Sequence, residues 1–88
     1  MDKTIVVQGL PSSVSVPVMT RIASDFGPLT RVVVEYEGNL RGPHATCWLT
    51  FQKPTDAARA IDTLDGAMVA GQRVEAAWTG NERDAIRH

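Results

Sequence analysis

The chain has 88 residues, of which 43% are apolar and 22% are charged, and its formal net charge is −1 at pH 7. This composition is typical of a soluble globular domain and excludes an intrinsically disordered chain. A domain of this size buries a thin core, so we expect its function on a surface rather than in a deep cavity. The single cysteine, Cys47, excludes an internal disulfide and a CxxC metal site.

The first half of the chain predicts a strand, a helix and a second strand. Ile5 to Leu10 is short and β-branched and is followed by Pro11, so it predicts a mostly buried strand. Ser15 is suited to cap a helix that ends at Gly27-Pro28. One helical face is formed by apolar residues at i, i+3, i+4 and i+7, namely Met19, Ile22, Ala23 and Phe26. Leu29 to Tyr36 predicts the second strand.

The second half repeats this plan. Residues 37–43 predict a loop, and His44 to Phe51 predicts the third strand. Pro54 opens a second helix, which ends at Asp65-Gly66. Residues 68–78 predict a short hairpin, whose second arm, Arg73 to Trp78, is the fourth strand. We expect one domain over residues 1–79 and a polar C-terminal tail over residues 80–88.

The order β-α-β-β-α-β predicts an α+β fold of the ferredoxin-like type. Right-handed crossovers place both helices on one face of a four-stranded antiparallel sheet and leave the other face bare. Strand alternation predicts which side chains lie on this bare face. They are Val6, Gln8, Arg31, Val33, Glu35, His44, Thr46, Trp48, Thr50, Arg73, Glu75 and Ala77.

The strand pattern also predicts the positions of the two tryptophans and the single cysteine. Trp48 lies in the middle of the bare face, where an exposed tryptophan is often a binding contact; the alternative is that the C-terminal tail covers it. Trp78 lies in the inward register and is expected to pack at the sheet edge. Cys47 also points inward and is expected to be an unreactive core residue.

Several short motifs, in order and at the right spacing, resemble those of the RNA recognition motif (RRM) family. Ile5 to Leu10 resembles the family's hexamer, and Phe26-Gly27-x-Leu29 its junction between first helix and second strand. His44 to Phe51 aligns with its octamer, anchored on Trp48-Leu49-x-Phe51. The stretch from Ala57 to Val74 resembles its second helix and last hairpin. The likeness covers Thr4 to Trp78 and implies the same fold.

The chain also departs from the family pattern. The family stacks bases on three aromatic positions, which here hold Val6, Thr46 and Trp48. The thinned octamer and Val34 to Glu37 resemble ALY/REF-type mRNA export adaptors. The segment Gly42-Pro43-x-Ala45 resembles the RRM of the ubiquitin-ligase subunit of the deadenylase complex. These two likenesses remain alternatives.

The resemblance implies weak binding of single-stranded RNA across the bare face, in mRNA processing, export or turnover. Trp48 would stack one base and Val6 would pack against a ribose or base edge. Gln8, Thr46 and Thr50 would form hydrogen bonds, and His44 occupies the basic first position of the octamer. Phosphates would be met by Lys3, Arg31, Arg41 and Arg73. The net charge of −1 predicts low affinity and a shallow salt dependence.

The alternative is a pseudo-RRM that acts as a protein–protein interaction module in a ribonucleoprotein complex and binds its partner protein on the helical face or on the face around Trp48. Acidic residues of the second helix and its turn, Asp56, Asp62 and Asp65, would suit a basic peptide, although a solvated helix face explains them equally well. We expect no enzymatic activity, because no catalytic triad, carboxylate dyad or phosphate loop is present. We likewise expect no cofactor, metal or membrane partner, and a nuclear or cytoplasmic rather than secreted protein.

Overall fold

The structure, a computed structural model, describes residues 2–37 and 44–80. It contains six strands and two helices in these ranges. In chain order they are β1 (Thr4–Pro11), α1 (Val16–Ser24), β2 (Leu29–Glu37), β3 (His44–Phe51), α2 (Pro54–Leu64), β4 (Met68–Val69), β5 (Gln72–Arg73) and β6 (Glu75–Trp78). This succession confirms the predicted β-α-β-β-α-β plan, with a small hairpin inserted before the last strand.

The main sheet has four antiparallel strands in the order β2-β3-β1-β6, so β1 and β3 are central. Strands β4 and β5 form a separate two-stranded hairpin. Residues of both helices belong to one buried cluster with the inward side chains of β1 and β3. Both helices therefore cover the same face of the sheet, as predicted, and none of the described helices lies on the opposite face.

The core is built from alternate residues of the central strands and from the apolar face of each helix. Cys47, Leu49 and Phe51 are fully buried in it, as the period-two pattern of β3 predicts. Ser15 caps α1, since its Oγ accepts a hydrogen bond from the backbone N–H of Val18 at 3.4 Å. None of the described helices is long and apolar enough to cross a membrane.

A bulge in β1 sets the direction of the side chains that follow it. The pairing with β3 advances three residues on β1, from Val7 to Leu10, against two on β3. The extra residue lies at Gln8-Gly9, where Gly9 adopts a φ of +87°. A Cβ atom on Gly9 would lie 3.2 Å from the carbonyl oxygen of Arg73. The bulge restores an inward direction to Leu10, which is fully buried.

The fourth strand is shorter than predicted. Its expected start, Arg73, instead pairs with Met68 in the β4–β5 hairpin. Val74, between β5 and β6, does not pair in the main sheet. Its N–H donates to the carbonyl of Ala67 at 2.9 Å, and its carbonyl accepts from the N–H of Gly66 at 2.8 Å. The prediction that the strand spans Arg73 to Trp78 is therefore wrong at its first two residues, and β6 begins at Glu75.

Candidate functional site

The helix-free face of the main sheet, which we call the open face, is centred on Trp48. Trp48 lies on the central strand β3, opposite Val6 on β1 and Val33 on β2. Its side chain is only partly buried. Because the core residues Cys47 and Leu49 flank it in sequence and point to the helices, Trp48 points away from them. Its predicted place on the open face is confirmed.

Val6 is the first predicted contact that the structure corrects. It belongs to the open face, because its neighbours Ile5 and Val7 lie in the core cluster and Val6 does not. Its side chain is nevertheless only 1% exposed. Val6 lies between Trp48 on one neighbouring strand and Ala77 on the other, and a small β-branched side chain is easily covered by such neighbours. The expected exposure of Val6 is therefore wrong, and its contact with a ribose or base edge stays a prediction.

Thr46 is the second correction. It was expected to offer a hydrogen bond to RNA, but it is buried, with 8% of its surface exposed. Thr46 lies between Glu35 on β2 and the Gln8-Gly9 bulge on β1. The extra residue of the bulge and the longer Glu35 side chain leave the threonine recessed between them.

A shallow cavity of about 360 Å³ opens on the β2 side of Trp48. Its lining is formed by residues of β1, β2 and β3, namely Thr4, Arg31, Val33, Glu35, Trp48 and Thr50. The hydroxyl groups of Thr4 and Thr50 are hydrogen-bonded to each other at 2.9 Å and form one wall. The cavity thus combines an aromatic ring, a guanidinium, a carboxylate and two hydroxyls. We call it the Trp48 cavity.

The structure brings together only some of the predicted binding residues. Arg31, Trp48 and Thr50 line the Trp48 cavity. Gln8 is paired with Glu75 of β6 on the other side of β1, and His44 lies at the start of β3 opposite Pro11. Arg73 lies on the separate hairpin rather than on the main sheet. Arg41 lies outside the described residues.

Three cavity residues, Thr4, Val33 and Glu35, were missing from the predicted contacts. Thr4 shares the alternation of Val6 and Gln8, so the same strand pattern, extended by one step, would have found it. Glu35 was predicted to lie on the bare face but was not among the predicted RNA contacts. Its place in the cavity depends on the pairing of β2 with β3, which puts Arg31 opposite Thr50 and Glu35 opposite Thr46.

Two of the three acidic groups of the second helix and its turn, Asp56 and Asp65, have partners within the domain. Asp56 forms an ion pair with Arg59 at 3.1 Å, and Arg59 also donates to the carbonyl of Phe26. The carboxylate of Asp65 accepts a hydrogen bond from the backbone N–H of Ala76 at 3.2 Å. These contacts favour the interpretation of the acids as parts of the fold over a docking surface for a basic peptide.

Cys47, in the core, has a thiol whose pKa is raised. Burial raises the pKa of its thiol to about 12, because the thiolate loses its hydration in the core. The predicted burial of Cys47 is confirmed, and its low reactivity stays a prediction. Within residues 2–37 and 44–80, histidine, cysteine and acidic side chains do not gather into a group that could hold a metal ion.

A second concave surface lies where the edge strand β6 meets the start of α2. Trp78 of β6 is opposite Ile5 and packs against the core cluster while staying partly exposed, which confirms its predicted packing at the sheet edge. Together with Asp2 and the start of α2, Pro54, Thr55 and Ala58, it lines a mostly apolar groove of about 500 Å³. We call it the Trp78 groove.

Solved structures share this architecture. The third RRM domain of Mip6 superposes with a TM-score of 0.75 at 22% identity, over 86% of this chain and 91% of that one. The Rna15 RRM, solved with bound RNA (GU), superposes with a TM-score of 0.77 at 13% identity, over the whole of both chains. Sex-lethal from Drosophila melanogaster, which holds two such domains, superposes with a TM-score of 0.77 at 18% identity, over 89% of this chain and 50% of that one.

The sequence itself carries the family pattern. The profile of the RNA recognition motif matches residues 5–75, which is most of the chain. The match begins in β1 and ends at Glu75, the first residue of β6, so it spans both helices and the strands β2 and β3 in full. The chain therefore belongs to the RNA recognition motif family, whose domains are RNA-binding modules.

Proposed function

We propose that this domain binds single-stranded RNA through its open face, with one base stacked on Trp48. The observation that carries the proposal is the position of Trp48, a partly exposed indole at the centre of the helix-free face and beside a cavity that also contains Arg31. An aromatic ring next to a cationic side chain suits a base and its phosphate, because stacking and charge act on adjacent parts of one nucleotide.

The binding is weak. Val6 and Thr46 occupy the other two stacking positions of the family, and both are buried, so a single aromatic ring is available. Base stacking contributes roughly 1–3 kcal/mol per base, and this chain offers one such contribution. The carboxylates of Glu35 and Glu75 oppose phosphate on the same face. Few phosphate contacts give a shallow dependence of affinity on salt.

For the cellular role we propose mRNA processing, export or turnover within a ribonucleoprotein complex, in the nucleus or the cytoplasm. The support is the resemblance of Val34 to Glu37 to export adaptors and of Gly42 to Ala45 to the deadenylase-complex ligase. Rna15 and Sex-lethal, two proteins of similar fold, have been solved with RNA. These resemblances indicate which cellular processes to test, and they do not specify an RNA sequence.

Tryptophan fluorescence tests the proposed surface. The Trp78→Phe variant keeps Trp48 as its only tryptophan, and the Trp48→Phe variant keeps Trp78. Because phenylalanine still stacks, both variants should bind a short single-stranded RNA. We expect the RNA to quench emission from Trp48 and to leave emission from Trp78 unchanged. Quenching of Trp78 alone would place the RNA elsewhere and contradict the proposal.

A second candidate is a protein–protein interaction module. The observation that favours it is the Trp78 groove, which is mostly apolar and lies away from the open face. An apolar groove beside a tryptophan is typical of protein contacts. In that case a Trp78→Ala variant would lose a protein partner while RNA binding stayed unchanged, and co-precipitation with each single variant would separate the two functions.

A further inference from the structure

We propose that the Trp48 cavity selects guanine over the other three bases, with Glu35 and Arg31 reading opposite edges of the stacked base. This inference rests on the proposed binding of RNA at the open face and adds the identity of the base. Its basis is the pair of opposite charges that β2 places on either side of the aromatic ring.

The geometry follows from the register of the sheet. Val33 lies directly opposite Trp48, and Arg31 and Glu35 are two residues before and after Val33 on the same face of β2. At about 3.3 Å per residue, the Cα atoms of Arg31 and Glu35 are about 13 Å apart. A base stacked on Trp48 and extending over Val33 therefore lies between the two side chains. Both side chains line the same cavity.

The two side chains differ completely in hydrogen-bonding character. A carboxylate only accepts hydrogen bonds, and a guanidinium only donates them. Guanine is the base that matches both, because N1–H and the N2 amino group are adjacent donors, while O6 and N7 are adjacent acceptors on the other edge. Arginine pairs with O6 and N7 in a two-bonded arrangement. Glu35 would accept the two donors in the same way.

The other bases fit the carboxylate poorly. Uracil places one N–H between two carbonyl oxygens, and these oxygens repel a carboxylate. Adenine and cytosine each place an amino group next to a ring nitrogen that is itself an acceptor. Each of these bases offers Glu35 one donor beside a repelling atom, whereas guanine offers two donors side by side. Hydrogen bonds to a charged group are the stronger ones, so the difference favours guanine.

Both charged groups are available for this contact. Arg31 and Glu35 are exposed, and among the residues that the structure describes the ion pair is formed by Arg59 and Asp56, not by these two. A carboxylate at the edge of an RNA surface repels phosphate unless it meets a donor. Reading N1–H and N2–H gives the carboxylate of Glu35 a favourable partner at that position.

The experiment uses four tetranucleotides that differ at one base, rUUGU, rUUAU, rUUCU and rUUUU, each with a 5′ fluorescein, titrated by fluorescence anisotropy at one fixed salt concentration. We expect wild type to bind rUUGU about tenfold tighter than the others, as one well-placed pair of hydrogen bonds provides. Glu35→Gln should weaken rUUGU about tenfold and leave the other three unchanged or slightly tighter, because it removes a negative charge.

The matched control is Glu75→Gln, the same change on the open face but on β6, outside the cavity. It should alter all four affinities alike. If Glu35→Gln tightens all four ligands equally, Glu35 only repels phosphate and the inference is wrong. Equal affinity of wild type for the four ligands also overturns it while leaving RNA binding intact. Absence of binding to all four would overturn the proposed function itself.

Discussion

Replacing Val6 with phenylalanine should convert this domain into a tighter RNA binder. Val6 occupies the family's stacking position on β1, but its side chain is covered by its neighbours. A phenylalanine is too long to be covered in this way, so its ring would emerge beside Trp48, which lies directly opposite. The open face would then offer two rings on adjacent central strands.

The magnitude follows from the two effects of the added ring. A second stacked base contributes about 1–3 kcal/mol, which lowers the dissociation constant by about 5- to 150-fold. Because Val6 lies outside the core cluster, the added atoms extend toward solvent and not into the helices. A cross-strand aromatic pair stabilises by about 0.2–1 kcal/mol, and local crowding opposes it with about 1–3 kcal/mol. We expect the melting temperature to fall by less than about 15 °C.

Anisotropy with a fluorescent hexanucleotide measures the affinity, and thermal denaturation followed by circular dichroism measures the stability. Val6→Leu is the control, since it adds bulk without an aromatic face and should leave the affinity unchanged. If the folded Val6→Phe protein binds no tighter than wild type, or if Val6→Leu gives the same gain, the reasoning about stacking on the open face is refuted.

Four further predictions concern three residues, Asp65, Leu49 and Cys47. Asp65→Ala removes the acceptor for the partly buried N–H of Ala76 and should lower the free energy of unfolding by about 1–3 kcal/mol in a urea titration. Asp65→Asn, which keeps an acceptor oxygen, should lower it less. Leu49→Ala, at a fully buried position, should cost about 2–5 kcal/mol in the same assay. The Cys47 thiol should resist iodoacetamide until the protein unfolds. Because the folded pKa of Cys47, about 12, lies above the reference value of 9.0, the unfolded state loses its proton first. The free energy of unfolding should therefore fall above pH 9 more steeply in wild type than in Cys47→Ala.

The sequence was sufficient to predict which face each strand buries, because alternation is a local property. Cys47, Leu49 and Phe51 form an unbroken apolar set in β3, so their burial assigns Trp48 to the open face without knowledge of any other strand. The helices were predicted on similar grounds, since each carries one apolar stripe and is followed within three residues by a glycine, Gly27 or Gly66. These features need only the spacing of residues within one element.

The degree of exposure on the open face was not predictable in this way. Val6 and Thr46 point as expected, but what covers them belongs to other strands, and the register between strands depends on the Gln8-Gly9 bulge. The late start of β6 at Glu75 has the same origin, because hydrogen bonds from the α2–β4 connection hold Val74. Contacts between distant segments decide these details, and a pattern within one segment does not contain them.

RNA binding through Trp48 is tested most directly by a ¹⁵N–¹H NMR titration of the wild-type protein with a short single-stranded RNA at low salt. We expect the amide signals around the Trp48 cavity and the Trp48 indole signal to shift together. The Trp78 indole signal and the amide signals of residues 55–58 should stay in place. The same titration of Trp48→Ala should lose these shifts. Shifts confined to the Trp78 groove, or shifts that persist in Trp48→Ala, would contradict the claim that RNA binds the open face through Trp48.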